Sequence, residues 1–236
     1  MSVKDQHVCV VTGAAGGIGR ATVAALSDHG WSVVALDRVA DAGSGVMGCD
    51  ITDPEDVQGT VADIAAKYRH VEAVVNAAGA GSPVAFESAT DQLWQQVYDV
   101  NLFGTVRMCR EFLPLLRKSD WEQRSIVNFT SQAAKTGGLL IGAPYSSAKA
   151  AVLCLTMSLA AELGPEGIRV NAVAPGIIET GFLDNVPGIR DRGAGIPLRR
   201  IGRPAEVADV VRFLVSPAAS YLTGETIDVN GGIYMD

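Results

Sequence analysis

The sequence predicts an α/β fold, a doubly wound parallel sheet of about seven strands with helices on both faces. Three observations predict it. Short, nearly continuous apolar runs alternate with longer amphipathic stretches almost from end to end, as expected of strands covered on both faces. The spacers between the runs are long enough for helical crossovers. A glycine cluster, Thr12-Gly13-Ala14-Ala15-Gly16-Gly17-Ile18-Gly19, joins the first apolar run to the first amphipathic stretch. With 236 residues, 48% hydrophobic and 19% charged, the chain suits one domain over 1–236 with a well-buried core, and disorder is excluded.

Taken in order, His7–Thr12 reads as the first strand, and a helix over Gly17–Asp28 stops around Gly30. Trp31–Asp37 is the second strand and Gly45–Cys49 a weaker third. The helix over Pro54–Tyr68 carries Pro54 in its first turn, where the missing N–H costs nothing. Val71–Asn76 is the fourth strand, followed by a long helical region, Asp91–Arg117, interrupted near Asn101–Gly104. Ser125–Thr130 is the fifth strand, Tyr145–Leu163 a helix closed by Gly164 and Pro165, and Ile168–Ala174 the sixth strand. A shorter helix, Pro204–Val215, precedes the last strand, Thr226–Asn230. Gly176–Arg200 is irregular, and it leaves the carboxyl edge of the sheet, where open α/β sheets bind ligands.

The net charge of −7 argues against a nucleic-acid footprint or attraction to an anionic membrane, yet leaves room for a nucleotide held by backbone N–H groups. No apolar run reads as a bilayer span and no secretory leader precedes the first strand, so the expected location is cytoplasmic. Cys9, Cys49, Cys109 and Cys154 are widely spaced without a C-x-x-C pair and are expected in the core. His7, His29 and His70 stand at strand starts or helix ends, suited to surface or capping roles, and no metal site is expected.

Gly13, Gly17 and Gly19 give a G-x-x-x-G-x-G spacing between strand and helix. The missing side chains let the backbone turn tightly and approach a pyrophosphate at the helix N-terminus, with Ile18 inside the loop. No Lys-Ser or Lys-Thr ending follows, which disfavours a P-loop NTPase. Asp37 closes the second strand eighteen residues beyond Gly19, where a carboxylate accepts adenosine ribose hydrogen bonds and repels a 2′-phosphate. That favours NAD, while Arg20 and Arg38 keep NADP open. Asp50, next to Ile51, either meets the adenine amine or organises a turn with Thr52 and Asp53.

Tyr145 and Lys149 stand four residues apart, on one helix face. An ammonium about 4 Å from a phenolate, at an effective dielectric near 20, attracts it by roughly 4 kcal/mol, or about three pKa units. A tyrosine brought toward neutrality in this way exchanges a proton with an alcohol or a ketone.

This set resembles the short-chain dehydrogenase/reductase family over essentially the whole chain. The resemblance also rests on Asn76-Ala77-Ala78-Gly79, Val100-Asn101, Ser131, and Pro175-Gly176 followed by Thr180. It implies a Rossmann-type fold and hydride transfer between a nicotinamide cofactor and a secondary alcohol or ketone. Tyr145 would be the general acid/base, Lys149 would tune it and bind the nicotinamide ribose, and Ser131 would polarise the carbonyl. Asn101 would hold a water linking Lys149 to solvent. Asn76 and Gly79 would line the adenosine side, the Ile178 backbone would meet the carboxamide, and the Thr180 hydroxyl would contact the cofactor. Two departures stand out. The family's doubled asparagine is Asn76-Ala77 here, expected to matter only locally, and Gly16 replaces a basic residue common in NADP-preferring relatives.

Gln132, Ala133, Leu139, Leu140 and Phe182 fit either a substrate border or core packing. Phe182, Leu183, Val186 and Ile189 suggest an apolar pocket, while Arg190 and Arg192 suit an anionic group or water. A 3-oxoacyl thioester, a cyclic or aryl alcohol and a polyol all remain open as substrates. The helix after Tyr145 is apolar on nearly every side, so one face needs another subunit, and the resemblance implies a homodimer or homotetramer, often sealed by segments such as Gly231–Asp236. The alternatives are an NADP-dependent 3-oxoacyl carrier-protein reductase and a non-catalytic NAD-binding regulator.

Overall fold

In the computed structural model, residues 7–41, 43–81, 83–138, 141–186 and 188–235 are described. Strand β1 (Val8–Thr12) is buried at all five residues. Its side chains alternate between two cores, as a period of two requires: Val8 and Val10 join one cluster, Cys9 and Val11 the other. β2 (Ser32–Asp37) and β3 (Met47–Gly48) extend the sheet on one side of β1. β4 (Ala73–Asn76), β5 (Ser125–Phe129), β6 (Arg169–Pro175) and β7 (Thr226–Val229) extend it on the other. The order is β3-β2-β1-β4-β5-β6-β7, with every pair parallel. The winding reverses between β1 and β4, which opens a crevice at their carboxyl ends.

Helices α1 (Gly17–Ser27) and α7 (Pro204–Val215) cover one face through Leu26, Val207, Val211 and Leu214. On the other face lie α2 (Pro54–Lys67), α4 (Gly104–Arg117) and α6 (Ala143–Leu163), contributing Ile64, Met108, Phe112 and Leu163. Each such fully buried side chain contributes about 1.5–3 kcal/mol. α2 starts where expected because Asp53 accepts a hydrogen bond from Glu55 N at 2.9 Å and Pro54 fills the first turn.

Several features depart from the sequence reading. The Asp91–Arg117 region is α3 (Asp91–Tyr98) and α4 joined by a π-helical turn, Asp99–Phe103, so the helix widens at Asn101 without stopping. A short helix, α5 (Gln132–Thr136), follows β5, and Gly176–Arg200 contains two 3₁₀ stretches, Gly181–Asn185 and Arg190–Gly195. The helix containing Tyr145 is long and apolar enough by composition to cross a bilayer, contrary to expectation. Its alanines and leucines serve two faces, and one of them packs on β6 and α5 around buried Lys149 and Thr156. Cys154 is exposed on this helix, unlike the other three cysteines. Glu72, just before β4, is 1% exposed and accepts hydrogen bonds from Val8 N and Ser119 Oγ, each at 2.7 Å.

Candidate active site

The carboxyl ends of the strands open into a cleft of about 920 Å³. The glycine loop shapes part of its wall. Gly13 has φ of +68°, and a Cβ there would stand 2.8 Å from Ala78 Cα. A Cβ on Gly17 would stand 2.7 Å from Thr180 Cγ2, and one on Gly19 would collide with the Gly13 carbonyl. The first turn of α1 therefore stays close to the strand ends. Gly16 caps it without a side chain and the turn carries no acid, so unpaired backbone N–H groups remain for an anion. The chain fits a dinucleotide pyrophosphate there.

Asp37 lines the same cleft and accepts a hydrogen bond from Ala15 N at 3.0 Å, while Arg20 donates to Ala15 O at 3.1 Å. Asp50 and Ile51 are also lining residues. The Asp50 carboxylate accepts from Thr52 Oγ1 at 2.7 Å and Thr52 N at 2.9 Å, and these bonds hold its pKa below the usual range. Asp50 thus organises its turn while facing the cleft.

Ser131 ends the strand-to-helix turn after β5, where its Oγ accepts from Ala133 N at 3.1 Å and caps α5. Its hydroxyl also faces the Tyr145 phenol across the cleft wall and acts to lower the phenol's pKa. Capping and contact with the tyrosine coexist in one residue. The Tyr145 ring packs against Phe182 with centroids 5.7 Å apart, and Gly81 leaves room for it, since a Cβ there would stand 2.7 Å from Tyr145 Cδ2.

Lys149 is 3% exposed; its Nζ donates to Phe129 O at 2.8 Å and lies 5.8 Å from the Tyr145 ring centroid. Burial pushes the Lys149 ammonium down to about 8. Burial pushes the Tyr145 phenol up to about 12, and the neighbouring Ser131 hydroxyl opposes that rise only in part. The expectation that Lys149 by itself draws the phenol toward neutrality is therefore corrected: in the protein without ligand, desolvation wins.

Asn101 sits fully buried in the π-helical turn, where Nδ2 donates to Ala80 O at 2.7 Å and Val97 O at 2.8 Å. Its Oδ1 is buried without a partner among the described residues. A Cβ on Gly79 would stand 3.0 Å from that oxygen and 3.2 Å from Lys149 Nζ, so glycine keeps open the space on which both converge.

Gly13, Gly17, Ile18, Gly19, Asp37, Asp50, Ile51, Gly79, Ser131, Tyr145, Lys149, Pro175, Gly176, Ile178 and Thr180 all line the cleft. Asn76 does not. Its side chain is buried between strands, donating to Asn128 Oδ1 at 2.9 Å and Cys109 Sγ at 3.2 Å, which corrects its placement on the adenosine side. The chain continues from Asn128 Nδ2 to Thr156 Oγ1 at 3.0 Å, so the central strands keep a polar tie to α6 although the second asparagine is Ala77. Gln132, Ala133 and Phe182 border the cleft; Leu139 and Leu140 lie outside the described residues. Sequence reasoning missed Thr136, Ile141 and Ile233 as lining residues. Nothing local marks Ile233, which reaches the site from the far end of the chain.

A family model described as Enoyl-(Acyl carrier protein) reductase matches residues 13–234. The chain is 35% identical over 244 residues to an uncharacterized short-chain type dehydrogenase/reductase, y4mP, of Sinorhizobium fredii, covering 95% of this chain and 96% of that protein. It belongs to the short-chain dehydrogenase/reductase family. A short-chain dehydrogenase/reductase of Brucella melitensis, described as glucose/ribitol dehydrogenase, superposes with a TM-score of 0.90 at 35% identity and full coverage of both chains. A 3-ketoacyl-(acyl-carrier-protein) reductase of Brucella melitensis, complexed with NADH, superposes at 0.86 with 30% identity, covering 96% of this chain and 97% of that one. As a short-chain dehydrogenase/reductase the protein is an oxidoreductase of hydroxyl and keto groups that uses a nicotinamide cofactor.

Proposed function

We propose that the chain, as one unit over 1–236, interconverts a secondary alcohol and its ketone with NAD as preferred cofactor and Tyr145 as general acid/base. The observation that carries this reading is the convergence of Ser131 and Tyr145 on one cleft wall, with the Lys149 ammonium buried behind them. When bound, the nicotinamide takes up or gives the hydride, and its oxidised form adds positive charge to the cleft.

Ser131 donates to the substrate oxygen and stabilises negative charge as it develops. Tyr145 gives that oxygen a proton during reduction and takes one during oxidation. With its phenol near 12 the tyrosine stays protonated, and both giving up that proton readily and serving as base require added positive charge to lower its pKa. Lys149 supplies part of that charge and binds the nicotinamide ribose. Asn101 Oδ1, across the space beside Gly79, holds a water that returns protons to Lys149. Asp50 and Ile51 border the adenosine half; Pro175, Gly176, the Ile178 backbone and Thr180 hold the nicotinamide half, with Gly79 beside Lys149.

Asp37 sets the cofactor preference by accepting ribose hydrogen bonds and repelling a 2′-phosphate. Arg38, also on the cleft wall, favours the second reading, an NADP-dependent 3-oxoacyl-thioester reductase. The test is kcat/KM with both cofactors in wild type and Asp37→Ser at fixed ionic strength. Wild type should prefer NAD by about tenfold, as roughly 1.4 kcal/mol of repulsion gives, and the variant should lose most of that preference. A wild type that already prefers NADP would hand the pocket to Arg38 or Arg20. The enzyme works in this reading as a cytoplasmic homodimer or homotetramer, its second copy covering the exposed side of α6 around Met157, which is 48% exposed.

A further inference from the structure

The part of the cleft around Tyr145 differs in chemistry from the part around Asp37. Ala133, Ile141, Leu183, Val186 and Ile189 line it, and with Phe182 and Tyr145 they form a hydrophobic cluster separate from the two cores of the sheet. Asp37 and Asp50, the acidic side chains of the described lining, both belong to the adenosine side. A polyol would have to place several hydroxyls against carbon here, each unmatched polar group costing about 1–3 kcal/mol. Apart from Ser131 and Tyr145, the uncharged polar side chains of the lining near here include Gln132 and Thr136.

Among the described residues, Arg192 stands at this apolar wall with no carboxylate paired to it. Lys149 is bound to the Phe129 carbonyl, and Lys135, on α5 beyond Ser131, pairs with Asp228 at 2.7 Å. Arg192 lines the cleft from the second 3₁₀ stretch, with its N–H donating to Ile189 O at 3.2 Å. Its backbone is pinned between Ile189 and Ile196, which are 6% and 2% exposed and belong to the same hydrophobic cluster as Tyr145. A guanidinium carried on a backbone held at the rim of an apolar pocket matches a planar oxyanion in both charge and geometry.

We propose that the substrate is an apolar oxo or hydroxy compound bearing one anionic group, a carboxylate or a phosphate ester, which Arg192 receives while the reacting carbon lies at Tyr145. This rests on the reaction proposed above and narrows its substrate. The test compares 5-oxohexanoate and 7-oxooctanoate with their methyl esters, and acetoacetyl coenzyme A with ethyl acetoacetate, alongside glucose and ribitol. Initial rates are read by nicotinamide absorbance.

At least one anionic member should show a KM about fivefold to tenfold below its neutral partner, shrinking as salt is raised. An advantage in the acid pairs assigns a carboxylate, and one confined to the coenzyme A thioester assigns a phosphate. Arg192→Gln should bring the ratio of the pair to about one and Arg192→Lys should restore part of it, whereas Arg212→Gln, on α7 beside Asp209, should leave the ratio as it was. Equal KM values within every pair, a preference that survives Arg192→Gln, or faster turnover of the sugars would overturn the substrate class while leaving the reaction standing. Absence of turnover with every compound and both cofactors would remove both.

Discussion

Burial moves Lys149 and Tyr145 in opposite directions, the ammonium down to about 8 and the phenol up to about 12. For Lys149 the folded chain binds its proton less readily than the unfolded chain, whose value is the ordinary 10.5. Between pH 8 and 10.5 the unfolded state therefore holds more protons, and this contribution to stability rises with pH. Below pH 8 the full cost is present, up to about 3 kcal/mol. Urea unfolding of the cofactor-free protein should show Lys149→Met more stable than wild type at pH 7, with the gap narrowing by pH 9.5. A gap that does not change with pH would mean the ammonium is not desolvated. The position thus trades stability for a charge held beside Tyr145.

At the scale of elements, the glycines of the loop approach Ala78 and Thr180 closely, and Asp37 and Arg20 bond the Ala15 backbone between them. Gly17→Val should push Thr180 away and weaken cofactor binding by about tenfold or more, while the sheet still folds. Fluorescence titration with NADH beside a thermal melt separates the two effects; unchanged affinity would show that the loop is not the cradle. The seven strands and the loop were legible in the sequence because apolar runs and glycine spacing are local signals. α5 was not, since five residues are too few to show a helical period. The π-helical turn showed only as an interruption near Asn101, because one extra residue per turn leaves no pattern of its own. Asn76 was misplaced for another reason: motif position cannot say which side of a strand a side chain leaves, and the network to Asn128 and Thr156 is non-local. The same holds for Glu72, whose partners come from β1 and from Ser119.

For the whole molecule, the parallel order places the loop after β1 and the residues after β4, β5 and β6 around one crevice, so distant motifs become one site. The apolar outer side of α6 predicts assembly. Sedimentation should give a dimer or tetramer for wild type and a smaller species for Met157→Glu; a wild type that sediments as a monomer would remove the second copy from the account. The central claim is that Tyr145 moves the proton in the reaction. The most direct measurement is kcat of Tyr145→Phe with a ketone that wild type reduces, taken together with NADH affinity. The ring should still pack against Phe182 and the cofactor should still bind, while turnover falls by about a hundredfold or more. Turnover close to wild type, with cofactor affinity unchanged, would contradict it.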